Sequence, residues 1–194
     1  MDAVHSLNSS MTRVQESSAQ RWPDAEFKQV FLDNYSRIVA VLMRLLGDRM
    51  RAEEVANDAF LKLYQQPGLR EGKANISGWL YRTATNLGID GLRSSARRGR
   101  YEEAAASDRQ RNSSPEGPLD DLIVEERRSR VRAVLAAIKP TQAQLLILRA
   151  SGLSYKELAE ILDVKQSGIG TMLNRAEAEF RQCYLQLHGN EEGL

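Results

Sequence analysis

Three clusters of side chains on this chain have types and spacings that suit chemistry. Between Trp79 and Arg100, five arginines (Arg82, Arg93, Arg97, Arg98, Arg100) oppose one acid, Asp90, so the segment carries 5 − 1 = +4 charges. Rings that stack on bases and guanidinium groups that follow phosphates are the means by which proteins hold single-stranded nucleic acid. Trp79 and Tyr81 are two residues apart and cannot share a helix face, so at least one of them belongs to the core. Upstream, across Ala52–Gln66, Glu53, Glu54 and Asp58 face only Lys62. There Glu54, Asn57 and Asp58 fall at helical spacing on one polar ridge, which is either a solvated face or a docking surface for a basic partner.

The third cluster is Tyr155–Arg175. With Tyr155 as the first position, Leu158, Leu162, Val164, Ile169 and Met172 fill the apolar places of a helix-turn-helix. Ala159 is the small residue where its helices touch, and Asp163 falls at the turn, where left-handed geometry is needed. The second helix of such a unit enters the DNA major groove with its amino-terminal residues nearest the bases. Its exposed candidates are Lys165, Gln166, Ser167, Gly170, Thr171, Asn174 and Arg175. Lys165, Arg175 and Arg181 are opposed by Glu177 and Glu179, so this unit alone binds DNA weakly.

Other chemistries find little footing. The chain has no phosphate-binding glycine loop and no plausible catalytic triad, so an enzyme is not expected. One cysteine, Cys183, and two histidines, His5 and His188, near opposite ends, leave no metal cluster, and no cofactor is expected. Apolar runs reach six residues (Ile38–Met43, Ala133–Ile138), far below the roughly 20 that span a bilayer. With no apolar stretch at the amino terminus, the expectation is a cytoplasmic protein without membrane insertion. The net charge of +1 over 194 residues says nothing about a polyanionic partner, so any such signal is local.

The elements that must position these clusters are helical throughout. Phe27, Val30, Phe31, Tyr35, Ile38, Leu42, Leu45 and Leu46 trace one face of a first helix, closed by Gly47. A second helix runs from about Arg51 to Gln65 and ends at Pro67-Gly68, and Leu69–Ser77 reads as a loop. Ser77 then precedes a third helix bearing Trp79, Leu80, Ala84, Leu87, Ile89 and Leu92. Four further short helices are expected between about Asp121 and Leu187. Thr141-x-x-Gln144 and Ser154-x-x-Glu157 both fit the capping box, and Gly152 sits where a helix end needs a left-handed residue.

The expected fold is all-α: two small helical domains joined by a flexible linker, the second a helix-turn-helix. Residues 1–22 read as a disordered tail, 23–98 as the first domain and 99–121 as the linker. Residues 122–188 form the second domain and 189–194 a carboxyl-terminal tail. From Tyr101 to Glu126, eight acids oppose two bases, a net of about −6. Such a run is solvating, or it imitates nucleic acid inside a basic channel.

Together these pieces resemble the extracytoplasmic-function group of bacterial RNA polymerase sigma factors, in the sigma-70 superfamily. The resemblance covers about Asp24–Arg98 and Leu122–Leu187. Ala52-Glu53-Glu54-Val55-Ala56-Asn57-Asp58-Ala59-Phe60 is similar to the family's polymerase-binding helix, with Asn57 where Gln is usual. Trp79-Leu80-Tyr81-Arg82-x-Ala84-x-Asn86-x-x-Ile89-Asp90-x-x-Arg93 resembles the segment that melts and reads the −10 promoter element. Leu153–Ala159 and Asn174-Arg175-Ala176 resemble the −35-reading module, although Ser167–Met172 replaces its usual Thr-Val-Lys-Ser-Arg run, which reduces direct contacts.

The resemblance implies a monomeric specificity subunit that binds core RNA polymerase through Glu53, Glu54, Asn57 and Asp58. It implies −10 DNA contacts from Trp79, Arg82, Asn86, Asp90, Arg93, Arg97 and Arg98. The same resemblance implies −35 contacts from Lys165, Gln166, Ser167, Gly170, Thr171, Asn174 and Arg175, and sequestration by an anti-sigma factor. The competing expectation is a stand-alone helix-turn-helix regulator whose first half serves dimerisation or sensing.

Overall fold

Apolar residues recurring at every third or fourth position wind the chain into helices, and among the described residues there is no strand. The structure, a computed structural model, describes residues 22–66, 68–71, 75–106 and 119–189. The expected tails and the middle of the expected linker (1–21, 107–118 and 190–194) lie outside the described residues.

Helix α1 (Asp24–Leu46) buries Ile38, Val41, Leu42 and Leu45 along one face. It stops at Gly47, whose φ of 74° few other residues adopt and whose N–H bonds back to Met43 O. Asp48 accepts the Arg51 N–H at 3.0 Å and so starts α2 (Arg49–Tyr64) two residues before the sequence suggests. Ala52, Ala56 and Ala59 are fully buried, and their small size lets α2 lie close against its neighbours, while Phe60 and Leu63 fill the core. Phe60 is also the centre of an aromatic group with Phe27, Phe31 and Tyr35.

One turn, α3 (Gly68–Glu71), interrupts the expected loop. The next helix is capped by Asn75, whose Oδ1 accepts the Gly78 N–H at 2.8 Å. Ser77 therefore lies inside α4 (Ile76–Ala106) and does not cap it. Helix α4 is 31 residues long and runs eight residues into the expected linker. Glu102, Glu103 and the three alanines that follow favour helix, and the prolines that forbid it come only at 115 and 118.

The second half comprises α5 (Leu119–Ala137), α6 (Pro140–Ala150), α7 (Tyr155–Leu162) and α8 (Gln166–His188). Pro140 opens α6 at a position whose N–H would be unpaired anyway. The two capping boxes part company here. Ser154 and Glu157 form theirs in full at the start of α7. Thr141 and Gln144 do not: α6 starts one residue earlier, Lys139 is its cap position, and the Gln144 amide is engaged elsewhere. Gly152 (φ 90°) and Asp163 (φ 55°) take up the left-handed conformations expected of them. Four helices are present as expected, though α5, at 19 residues, and α8, at 23, are not short.

The two halves do not stand apart. Helix α4 packs against α1 and α2 on one side and against α5, α6 and α7 on the other. It is the shared element of the fold, and it carries the basic stripe.

Candidate nucleic-acid interface

Trp79, Arg82, Asn86, Asp90, Arg93 and Arg97 follow one another at steps of three or four residues, which on α4 makes a single longitudinal stripe. Leu80, Ala84 and Ile89, between them, point into the core formed with α1 and α2. Gly88 sets how closely α4 and α1 meet, since a Cβ there would stand 2.6 Å from Leu45 Cδ2. Trp79 is half-buried and packs against the core at the start of the stripe, and Tyr81 does so on a neighbouring face. Burial raises the Tyr81 hydroxyl above its ordinary pKa, so it remains a neutral donor. Asn86, Asp90, Arg97 and Arg98 are exposed.

Much of the stripe faces the second half of the chain. Arg82 Nε donates to Ile161 O at 2.7 Å. Arg93 spans two carbonyls, with Nε on Ala136 O at 3.1 Å and Nη2 on Ile138 O at 2.6 Å. These oxygens belong to the carboxyl ends of α7 and α5, where carbonyls lack helical partners and the helix dipole concentrates negative charge. Gln144, on α6, is 3 % exposed. Its Nε2 lies 2.6 Å from Thr85 Oγ1, 3.1 Å from Arg82 O and 3.2 Å from Asn86 Oδ1, all on α4. Arg82, Asn86 and Asp90 line a cleft of about 430 Å³ closed on its far side by Pro140, Thr141, Gln144 and Leu162.

Helix α8 is disposed differently. Lys165, Gln166, Ser167, Thr171, Asn174 and Arg175 are exposed on α8 and Gly170 is half-exposed, while Ile169, Leu173 and Ala176 are buried beneath them. Leu158 and Ala159 are buried at the crossing, Leu162 and Met172 are partly buried and Val164 is 38 % exposed, so of the five expected apolar places only Leu158 and Ile169 are fully covered. The Ser154 hydroxyl and N–H both bond the Glu157 carboxylate, at 2.6 and 2.7 Å, and hold it below the ordinary carboxylate range.

On α2, Glu54, Asn57 and Asp58 share an exposed face, whereas Glu53 is half-buried and paired with Arg49 at 2.8 Å. Met50 (73 % exposed) and Leu61 (55 % exposed) fall on the same ridge, four residues before Glu54 and three after Asp58. The acidic face is thus bracketed by bare apolar side chains that the sequence reading passed over. Thr85 and Gln144 were missed as well. The available signal was spacing, because Gln144 shares its helix face with Ile147 and Leu148 and had to be buried.

Sigma-70 region 2 matches residues 30–98 and sigma-70 region 4 matches residues 128–180, in that order. These two regions define a sigma-70 chain with an amino-terminal helical unit and a carboxyl-terminal helix-turn-helix. The chain belongs to the sigma-70 family, in the extracytoplasmic-function group. It is 29% identical over 163 residues to the ECF RNA polymerase sigma factor SigE of Mycolicibacterium smegmatis, covering 80% of this chain and 60% of that one. It is also 29% identical over 164 residues to the RNA polymerase sigma-H factor of Pseudomonas aeruginosa, covering 80% and 83%. RfaY of Xanthomonas campestris is 28% identical over 151 residues, covering 77% of this chain and 38% of that one. The chain therefore spans less than two thirds of SigE and of RfaY, and most of sigma-H.

Among the described residues no group of His, Cys, Asp and Glu is placed to hold a metal ion. No described helix is long and apolar enough to cross a membrane.

Proposed function

We propose that this chain is a dissociable specificity subunit of RNA polymerase that recognises −10 and −35 promoter elements and helps to separate the strands. Residues 23–98 would dock on core polymerase and hold the −10 strand, and residues 122–188 would read the −35 duplex. The observation that carries the reading is the single stripe on α4, cationic, amide-bearing and headed by an aromatic ring, on a chain that also exposes a helix-turn-helix. Arginines on such a stripe can follow phosphates, while Asn86 and Asp90 supply an amide and a carboxylate for base edges. Unpairing costs a few kcal/mol per base, which contacts to the released base must return. No bond is made or broken by the chain's own side chains.

The docking face on core polymerase is the exposed ridge of α2, with Glu54, Asn57 and Asp58 between Met50 and Leu61. Charged groups there steer a basic partner, and the apolar ends supply buried area once it has docked. An anti-sigma factor, acting on the free chain inside the cell, is the further partner that family membership brings.

Size-exclusion chromatography with core polymerase tests the assignment. Co-migration of the chain with core, and tight promoter binding only by the complex, is the expected result. A chain that ignores core and binds specific duplex tightly by itself would instead be a stand-alone regulator.

A further inference from the structure

A second cleft, of about 370 Å³, lies where α1, α4 and the turn between α6 and α7 meet. Arg37 and Arg44 reach it from α1 and Tyr81 from α4, with Leu153 on the turn and Glu157 in the first turn of α7. None of these side chains is among those given to polymerase or DNA above. Arg37 and Arg44 are seven residues apart, so their Cα atoms stand about 10.5 Å apart on one face of α1. Ala40 lies between them and is too small to fill the space. Among the described residues, neither guanidinium is paired with a carboxylate.

The groups around the two arginines leave them unengaged. The Glu157 carboxyl is held low chiefly by its bonds from Ser154 and only in part by Arg37, which is within electrostatic reach but not bonded to it. Leu153 O accepts Arg149 Nη1 at 3.0 Å, so a third guanidinium stands behind the turn. Burial keeps the Tyr81 hydroxyl protonated beside Arg37, where it can donate. Two bare guanidiniums and one hydroxyl donor thus line a small space, against a single carboxylate that Ser154 already holds. We propose that this cleft binds a phosphate group, free or as the terminal group of a phosphomonoester, with Arg37 and Arg44 as its two arms and the Tyr81 hydroxyl as a third donor.

Phosphate fits better than other anions for reasons of charge and shape. A terminal phosphate carries about −1.5 to −2 at neutral pH, which matches two guanidiniums, whereas a carboxylate would leave one of them unbalanced. Its oxygens point in several directions and suit donors arriving from two helices, each guanidinium presenting a planar fork. A nucleic acid backbone carries one charge per phosphate and would have to run on past Glu157, which a terminal group does not. The site uses neither the basic stripe nor α8, so it stands or falls apart from the proposed function.

Phosphorus NMR of inorganic phosphate, titrated with the full-length chain at an ionic strength fixed by chloride, tests the site. Saturable broadening of the phosphate signal is the expected result. Arg37→Ala and Arg44→Ala should each weaken affinity about tenfold, and Tyr81→Phe, which keeps the ring, about fivefold. Arg37→Lys keeps the charge and loses the fork, so it should fall between the parent and Arg37→Ala. Both arginines are exposed, and circular dichroism should show unchanged helicity in every variant. If an alanine variant loses helicity, the lysine replacements Arg37→Lys and Arg44→Lys decide. Glucose 6-phosphate as a second titrant separates the sources: equal or tighter binding makes the ligand a phosphomonoester, and weaker binding makes it the free ion. Broadening that never saturates, or equal phosphate affinity in the double variant Arg37→Ala/Arg44→Ala, would overturn the site. A double variant that keeps its phosphate affinity but loses promoter duplex in complex with core polymerase would give the cleft to the DNA backbone instead, and the proposal would fall.

Discussion

Replacing Gly88 by alanine, and separately Gly91 by alanine, adds the same methyl group at two points of one helix, three residues apart. In an ordinary helix interior each change is worth about 0.8–1 kcal/mol in favour of the folded state. At Gly91 no heavy atom lies within 4 Å of the new Cβ, so the full gain should appear. At Gly88 the Cβ would stand 2.6 Å from Leu45 Cδ2 and 3.0 Å from Leu42 Cδ2. Both leucines are fully buried in the core between α1 and α4 and have little room to yield. Overpacking of this kind costs about 1–3 kcal/mol, which cancels or exceeds the helical gain. Urea unfolding followed by circular dichroism should therefore show Gly91→Ala more stable than the parent by about 0.5–1 kcal/mol. Gly88→Ala should be neutral to about 2 kcal/mol less stable, and the gap between the two variants isolates the clash. Equal stabilisation by both would mean that α4 does not approach α1 as described, and the placement of the stripe would fall with it.

Three further outcomes can be measured. Reversing charge at Glu54 and Asp58 together should weaken co-migration with core polymerase at unchanged helicity, and an unaltered complex would remove that face from the docking surface. Because the Glu157 pKa is lowered in the folded chain, the capping box contributes stability above the unfolded-state pKa and loses it as pH falls through the folded-state value. Ser154→Ala should cost about 1 kcal/mol at neutral pH and flatten the acid limb of the stability curve, whereas an unchanged limb would deny the linkage. Gly168 has open space around its Cβ position in the first turn of α8. Gly168→Ala should stabilise the chain by about 0.5–1 kcal/mol, and duplex affinity of the polymerase complex should fall if bare backbone there approaches DNA.

The helix-turn-helix was the most legible part of the chain, because Leu158, Ala159, Asp163 and Ile169 are each fixed by local geometry. Asp163 was readable for a specific reason: few residues other than glycine tolerate its left-handed conformation. The first helices were legible from periodicity alone, to within two residues at their starts. What stayed hidden depends on contacts across long separations. Gln144 matches a capping box in sequence, and only the presence of α4 opposite decides that its amide reaches Thr85, 59 residues away. Met50 and Leu61 look like core residues by type, and their exposure follows from which face of α2 the alanines bury. Likewise, the acids after Tyr101 look like linker by composition, while helix propensity carries α4 through them to Ala106.

The two elements that the proposed function turns toward DNA are unequally exposed. On α8, Lys165, Arg175 and Arg181 are offset by Glu177 and Glu179, so the proposed −35 contacts are weakly charged. Contacts so weakly charged would dissociate quickly. Of the groups proposed to hold a strand, Arg82 and Arg93 are bonded to carbonyls of the second half, while Asn86, Asp90, Arg97 and Arg98 are exposed. Under the proposed function, reading the duplex and holding the strand fall to different halves of one small protein, and bonds between those halves join the two tasks.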